Sequence, residues 1–381
     1  MTIDLSFAPS EDPFVVQHGG FYRRWLSMLD DVEELKATVS KLEATTQDKW
    51  IPVWRERGQF HEDEGDRLEA AGDLEGSRRE FLQAKTYYSI GRFPRELTDE
   101  KRQISEECRT AYRKACAHLD PPLQEVDIVH DGKTIRSHLR VPKDASAEHP
   151  VPAVFVMCGA DVFKEDRGWA ADLALEQGMA ALVVDAPGTG ENPFPWGPDS
   201  VAAWEAAFDW LAARPEIDGD RIGAFGISRG GYSVMQLAGF APTKVKAVVA
   251  NAGHPFGYRM TDEEMDYFVD YANRRAAWVF GAPGDPGSFT PTTRERELER
   301  FKTWALSEQG ILENITMPVL MINGKHDNGL APIGNIYFML EHGPATGKEA
   351  RVYADAGHCA FKYQDHWAPA SFAWLREKLT R

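Results

Sequence analysis

The sequence predicts an α/β protein: a mostly parallel central sheet with helices on both faces, preceded by an all-helical N-terminal region. Three observations carry this prediction. From residue 123 onward, short apolar runs alternate with helix-compatible stretches across short connections, the pattern of repeated βα units. Before residue 120, no strand pattern interrupts segments whose apolar residues recur three and four apart. Between the two, Asp120-Pro121-Pro122 stops a helix and opens a different texture.

In the first region, Phe21 to Asp30 and Val32 to Thr45 carry apolar side chains at helical spacing, the second through Val32, Leu35, Val39 and Leu42. Pro52 is expected to interrupt the next stretch, Asp48 to Arg57, because it brings no N–H to a helix. Glu62 to Leu82 keeps Leu68, Ala71, Leu74, Ser77 and Phe81 at helical intervals, with a break or loosening expected near Gly72. Ala84 and Tyr88 continue that face until Gly91 and Pro94. Asp99 to His118 is the last helix, capped by Thr98 or Asp99. Residues 1–120 therefore read as a helical cap and 121–381 as a sheet domain.

Leu123 to His130 and Thr134 to Val141 flank Asp131-Gly132, the signal for a two-residue β-hairpin turn. Strand Val151–Cys158, helix Gly168–Gln177, strand Ala180–Val184 and helix Ser200–Ala213 follow. Next come the strand that ends at Ile227, helix Tyr232–Phe240 and strand Val245–Ala250. The alternation lapses over about 254–310, where Thr261–Phe280 and Thr292–Glu308 read as helices split by Gly281–Gly287. That stretch is an insertion above the carboxyl ends of the strands. Strand Pro318–Ile322, helix Ile333–Glu341, strand Ala350–Ala354 and helix Trp367–Leu379 complete the chain.

Composition bounds the function. A length of 381 residues with 43% hydrophobic content supports a sizeable core, and a formal charge of −16 argues against a nucleic-acid partner. No run of eighteen apolar residues marks a membrane span, and MTIDLSFAPSEDPF has no basic region followed by an apolar core, so neither membrane nor secretion is expected. Cys108, Cys116, Cys158 and Cys359 lack metal or redox spacing and fit four free thiols in a reducing cytoplasm.

The chemistry concentrates at Gly226-Ile227-Ser228-Arg229-Gly230, a G-x-S-x-G pattern set between an apolar strand and a helix. In a turn that tight, a side chain at either outer glycine collides with its neighbours, and the serine is presented at a helix N-terminus. A serine hydroxyl needs a base, and the base needs an orienting acid. His358 and Asp327 supply them, each just beyond a predicted strand and in the order serine, acid, histidine of an α/β-hydrolase fold. Asp355 is the rival acid. The oxyanion hole takes the N–H of Arg229, and a second N–H from the turn after Cys158, Ala160 or else Asp161. Asp161, Trp196, His254, Glu263 and Glu264 are candidate pocket residues. The neighbouring Lys164, Glu165 and Asp166 read as a solvated loop. Asp185-Ala-Pro-Gly-Thr-Gly-Glu191 lacks the third glycine and the following helix of a dinucleotide site, and no histidines show metal-ligand spacing. Neither cofactor nor metal is expected.

The helical region, the Asp185–Glu191 segment, Gly226–Tyr232, Asp327 and His358 together resemble the FrsA-like esterase group of α/β-hydrolases. The resemblance implies an active site enclosed between the helical region and the sheet domain, and a homodimer. It also implies attack on a carbonyl carbon, with cleavage of a carbon–carbon bond beside a ketone in an aromatic or polyketide-like small molecule. Ester or lactone hydrolysis and acyl transfer are the alternatives for the same residues. An auxiliary acid of the group is not fixed by motif here; Glu263, Glu264 and Asp266 lie in the right region.

Overall fold

The computed structural model describes residues 25, 28–43, 47–93, 98–256, 260–280, 289–327, 329–344 and 346–380. Most of the predicted helix Phe21–Asp30, and the Gly281–Gly287 connector, lie outside them.

Four helices come first: α1 (Val32–Val39), α2 (Gln47–Ala70), α3 (Leu74–Arg92) and α4 (Asp99–Cys116). Asp31 caps α1 and Thr98 caps α4, each accepting from backbone N–H groups of the first turn. Pro52 does not interrupt α2. It sits in the second turn, where it removes one ladder bond, and the fully buried Trp50 and Trp54 on either side hold the helix through it. The break falls at Gly72, where φ is +84° and the Asp73 N–H bonds Leu68 O while the Gly72 N–H bonds Glu69 O, a left-handed helix end. The helices close around one apolar cluster that includes Trp25, Trp50, Trp54, Tyr87, Tyr88 and Phe93.

The sheet has eight strands: β1 (Gln124–His130), β2 (Lys133–Arg140), β3 (Val151–Met157), β4 (Ala180–Val184), β5 (Ile217–Ile227), β6 (Val248–Asn251), β7 (Val319–Gly324) and β8 (Lys348–Tyr353). Their order is β1-β2-β4-β3-β5-β6-β7-β8. The pairs β1–β2 and β2–β4 are antiparallel, and every later pair is parallel. Asp131 and Gly132 both take positive φ in the β1–β2 hairpin, as a twisted two-residue turn requires.

Strand alternation divides the core. Ala153, Phe155 and Met157 of β3 face one cluster with Trp204, Phe208, Tyr232 and Leu237; Val154, Val156 and Cys158 face the other with Ala170, Trp367, Phe372 and Leu375. The first cluster is covered by α6 (Val201–Ala212), α7 (Arg229–Phe240) and α10 (Gly334–Glu341). The second is covered by α5 (Gly168–Glu176) and α11 (Gln364–Lys378). The insertion contributes α8 (Asp262–Phe280) and α9 (Arg294–Trp304), the latter ending where Ala305 turns extended.

After β3 the chain runs to β4 on one side, then crosses to β5 on the other. The strand order reverses between β3 and β5, and open parallel sheets bind ligands in the crevice at such a point. The loops at that edge are those of Gly159–Asp161 and Ser228.

Candidate active site

Ser228 stands between β5 and α7 with φ 59° and ψ −120°. Two glycines make this possible. A Cβ on Gly226 would lie 2.1 Å from Gly230 O, and one on Gly230 would lie 2.3 Å from Met157 O, so backbone meets backbone on both sides of the turn. The Ser228 N–H donates to Asn251 O at 2.7 Å, tying the turn to the end of β6. Positive φ at a non-glycine residue is costly and gathers at functional sites. Among the described residues Asp131, Ser228, Ala252, Phe256, Cys359 and Ala360 have it; all but Asp131 follow β5, β6 or β8 at the carboxyl edge of the sheet.

His358 Nε2 lies 2.9 Å from Ser228 Oγ, and His358 Nδ1 lies 2.6 Å from Asp327 Oδ2. A carboxylate only accepts, so Nδ1–H donates to Asp327, and in the neutral ring Nε2 accepts from the serine hydroxyl. Asp327 also accepts from Asn323 Nδ2 at 2.9 Å and from the Leu330 N–H at 3.2 Å. Burial alone would raise its pKa, yet the His358 charge and the hydrogen bonds from His358, Asn323 and the Ala331 backbone hold it below the ordinary aspartate value. Burial likewise works against a charged His358, but Asp327, with a smaller contribution from Cys359, carries its pKa well above 6.5.

Asp355 is not in this arrangement. It is exposed, and it pairs with Lys362 at 2.5 Å and accepts from Tyr363 Oη at 2.6 Å. Arg229 begins α7, with its guanidinium over the Trp196 ring at 4.5 Å, and Ala160 and Asp161 follow β3 at the switch point. Trp196 also stacks on Trp304 at 4.6 Å and meets Tyr232 edge-on, bracing α7 against the insertion. His254 is buried and stacked on Phe256 at 4.5 Å. Its Nδ1 accepts the Phe256 N–H at 2.9 Å, so its proton sits on Nε2, a buried atom without a hydrogen-bond partner among the described residues. Burial pushes its pKa down to about 3, which keeps the ring neutral.

The structure gives Glu264 other work. Its carboxylate accepts the Thr261 N–H at 2.8 Å while Thr261 Oγ1 accepts the Glu264 N–H at 3.2 Å, a reciprocal cap on α8. Glu263 is exposed on the same turn, and Asp266 is exposed and 3.5 Å from Arg294. The Thr261-x-x-Glu264 spacing was itself the signal for that cap.

The solvated loop at Lys164–Asp166 is a correction as well. Lys164, Glu165 and Asp166 are buried, because Lys85 and Arg92 of α3 and Asp185 and Glu191 of the loop after β4 supply opposite charges. Gly190 lies against the Asp185 carboxylate, which accepts the N–H groups of Lys164 at 2.7 Å and Glu191 at 3.0 Å.

Sequence reasoning missed two residues. Asn323 lies one residue before the end of β7, and its amide joins both halves of the site: Oδ1 accepts the Cys359 N–H at 3.0 Å while Nδ2 donates to Asp327. Tyr267 packs so closely on Gly329 that a Cβ there would lie 2.3 Å from its ring. Burial, helped by the Asp327 charge, raises its phenol to about 12. Asn323 directly follows the apolar run Pro318–Ile322, and Asp327 comes a few residues later, a usable signal; Tyr267 carried none.

Among the described residues no group of three His, Cys, Asp or Glu is arranged to hold a metal, and no helix is long and apolar enough to cross a membrane. The sequence model of the FrsA-like esterases matches residues 33–267, and that of the prolyl oligopeptidase family matches residues 166–381. The chain is 26% identical over 315 residues to 2,6-dihydropseudooxynicotine hydrolase of Paenarthrobacter nicotinovorans, covering 81% of this chain and 79% of that one. It is 22% identical over 393 residues to esterase FrsA of Photobacterium profundum, covering 94% and 88%. The crystal structure of 2,6-dihydroxy-pseudo-oxynicotine hydrolase superposes with a TM-score of 0.71 at 24% identity, over 90% of this chain and 92% of that one, and shares the fold.

Proposed function

Because this chain belongs to the FrsA-like esterase family of α/β-hydrolases, we propose that it is a serine hydrolase that cleaves a carbon–carbon bond beside a ketone in an aromatic or polyketide-like small molecule. The observation that carries the serine chemistry is the unbroken chain from Ser228 Oγ through His358 to Asp327, at 2.9 and 2.6 Å. Ser228 attacks the ketone carbon as its proton passes to His358 Nε2. The alkoxide is held by the N–H groups of Arg229 and Ala160, with Asp161 the alternative to Ala160, and Asp327 steadies the imidazolium.

Collapse of the tetrahedral adduct breaks the bond to the neighbouring carbon. The electron pair leaves on that carbon as an enolate or electron-rich arene, and His358 returns the proton to it. Water then attacks the acyl-serine, giving its proton to His358, and the freed acid leaves Ser228 restored. Exclusion of bulk water favours this chemistry, and burial of His358 and the aromatic surroundings of His254 and Phe256 support the reading. In the same reading Asp161 and His254 contact the substrate, with His254 as a neutral donor to an oxygen. The similarity to a protein named 2,6-dihydropseudooxynicotine hydrolase supports a small organic substrate, while the similarity to esterase FrsA supports the ester alternative.

The expected homodimer belongs to this proposal and is tested by light scattering. The reaction is tested by product analysis with 1-phenylbutane-1,3-dione and phenyl acetate, each with wild type and Ser228→Ala. Serine-dependent release of acetophenone and acetate from the diketone, or of benzoate and acetone, supports carbon–carbon hydrolysis. Turnover of the ester alone makes the enzyme an esterase.

A further inference from the structure

The loop that carries Ala160 and Asp161 is pinned at both ends. At its root, Cys158 N–H bonds Val184 O at 3.0 Å, and Gly230 of α7 lies against the carbonyls of Met157 and Cys158. At its far end the chain enters a 3₁₀ turn, Lys164–Arg167, whose side chains point into a buried set of charges rather than into water.

The partners come from the helical layer. Arg92 donates to Asp166 Oδ2 at 2.8 Å and to Glu165 Oε2 at 3.3 Å, and its guanidinium lies 3.9 Å above the Phe163 ring. Lys85 donates to Asp166 Oδ1 at 2.9 Å, and Ser89 Oγ donates to Asp166 Oδ2 at 3.1 Å. Lys85, Ser89 and Arg92 are four and three residues apart, one face of α3. Asp166 Oδ2 in turn accepts the Phe163 N–H at 3.2 Å.

We propose that Arg92, seconded by Lys85 and Ser89, is a positioning residue through which the helical layer sets the oxyanion loop. This rests on the reading of the Ala160 N–H as an oxyanion donor. Buried ion pairs are a poor source of stability, since well-packed apolar groups of the same shape hold an interface as well; what they add is directional register. A planar guanidinium fixed by two carboxylates and a ring face sets the rotation and depth of the turn it grips. Phe163 is three residues from Ala160, a span of at most about 10 Å even when extended, so displacement of the turn reaches the loop. Loss of one oxyanion donor costs about 10²–10³ in kcat, and a mis-set donor costs part of that.

The test uses the full chain, with p-nitrophenyl butyrate as substrate and a fluorophosphonate as a probe of the serine. Arg92→Lys keeps the charge but loses the fork and the ring contact. It is expected to lower kcat about 10-fold or more with KM within about threefold, and to slow phosphonylation by the same factor. Ser89→Ala is expected to act in the same direction, about two- to fivefold. Trp50→Phe, which loses the bond from Nε1 to Ile90 O within the helical layer but does not touch the loop, is the control for lost stability. It is expected to lower Tm and leave kcat unchanged.

Wild-type kcat in Arg92→Lys, or an equal fall of kcat in Trp50→Phe, overturns the inference. If Arg92→Lys does not fold, unchanged kcat in Ser89→Ala overturns it. A wild-type protein that resists the probe overturns the serine reading and this inference with it; a labelled wild type with an equally labelled Arg92→Lys overturns this inference alone.

Discussion

Two aspartates follow the last two strands of the sheet, and their surroundings separate them. Asp327 is buried against His358 and held by Asn323 and Leu330, whereas Asp355 stands in solvent with Lys362 and Tyr363. Asp327→Asn is therefore expected to lower kcat/KM by about 10³–10⁴-fold, as loss of the carboxylate that orients a triad histidine does, and Asp355→Asn to change it by less than about threefold. Steady-state kinetics on an ester check both, and the reverse ranking exchanges the roles. The pH profile carries the sign of the same interaction. The base must be neutral to take the serine proton, and Asp327 raises the His358 pKa above 6.5. The acid limb of kcat/KM should then have an apparent pKa above 6.5, a property of the pair. In Asp327→Asn the main influence raising the imidazole pKa is lost while burial still lowers it, and the limb moves to lower pH. A limb that stays or moves upward contradicts the pairing.

At the scale of elements, the turn between β5 and α7 is constrained by backbone on both sides. Gly230→Ala places a methyl 2.3 Å from a carbonyl oxygen of β3, a backbone atom that cannot swing aside as a side chain can. The expected result is a loss of about 1–3 kcal/mol or more in stability, read as a lower denaturation midpoint, together with loss of serine labelling in any protein that folds. Retained labelling at wild-type rate shows that the turn relaxes without moving Ser228. This turn was legible in the sequence because its cause is local: two glycines, an apolar strand and a helix in direct succession. The β1–β2 hairpin was legible through Asp131-Gly132 for the same reason. Pro52 misled because its cost is local, while Trp50 and Trp54 hold α2 through contacts with residues far along the chain, Trp50 with Ile90 and Trp54 with Tyr87. Glu264 was a candidate pocket residue although its cap partner, Thr261, stands three residues away.

At the scale of the whole molecule, long-range pairing was the illegible part. Lys85 and Asp166 are 81 residues apart, and Arg92 and Asp166 are 74 apart, so charges that look solvated one by one prove to be buried together. Asn323 and Cys359, which join the acid to the histidine loop, are likewise brought together only by the pairing of β7 and β8. The helical layer is accordingly a part of the molecule rather than an appendage. Its removal strips Glu165 and Asp166 of Lys85 and Arg92 and exposes His138, which stacks on Tyr112 at 5.2 Å. A chain starting at residue 121 is expected to be poorly soluble and at least 100-fold less active than the full chain, by expression yield and ester turnover, because buried charges left without partners destabilise strongly. Activity retained by that fragment separates the helical layer from the site. The central proposal, that Ser228 carries the acyl group, is tested most directly by intact-protein mass after fluorophosphonate treatment. The expected result is a single adduct that peptide mapping puts on Ser228, absent in Ser228→Ala and formed slowly in His358→Ala. An adduct on another residue, or an unmodified wild-type chain, contradicts it.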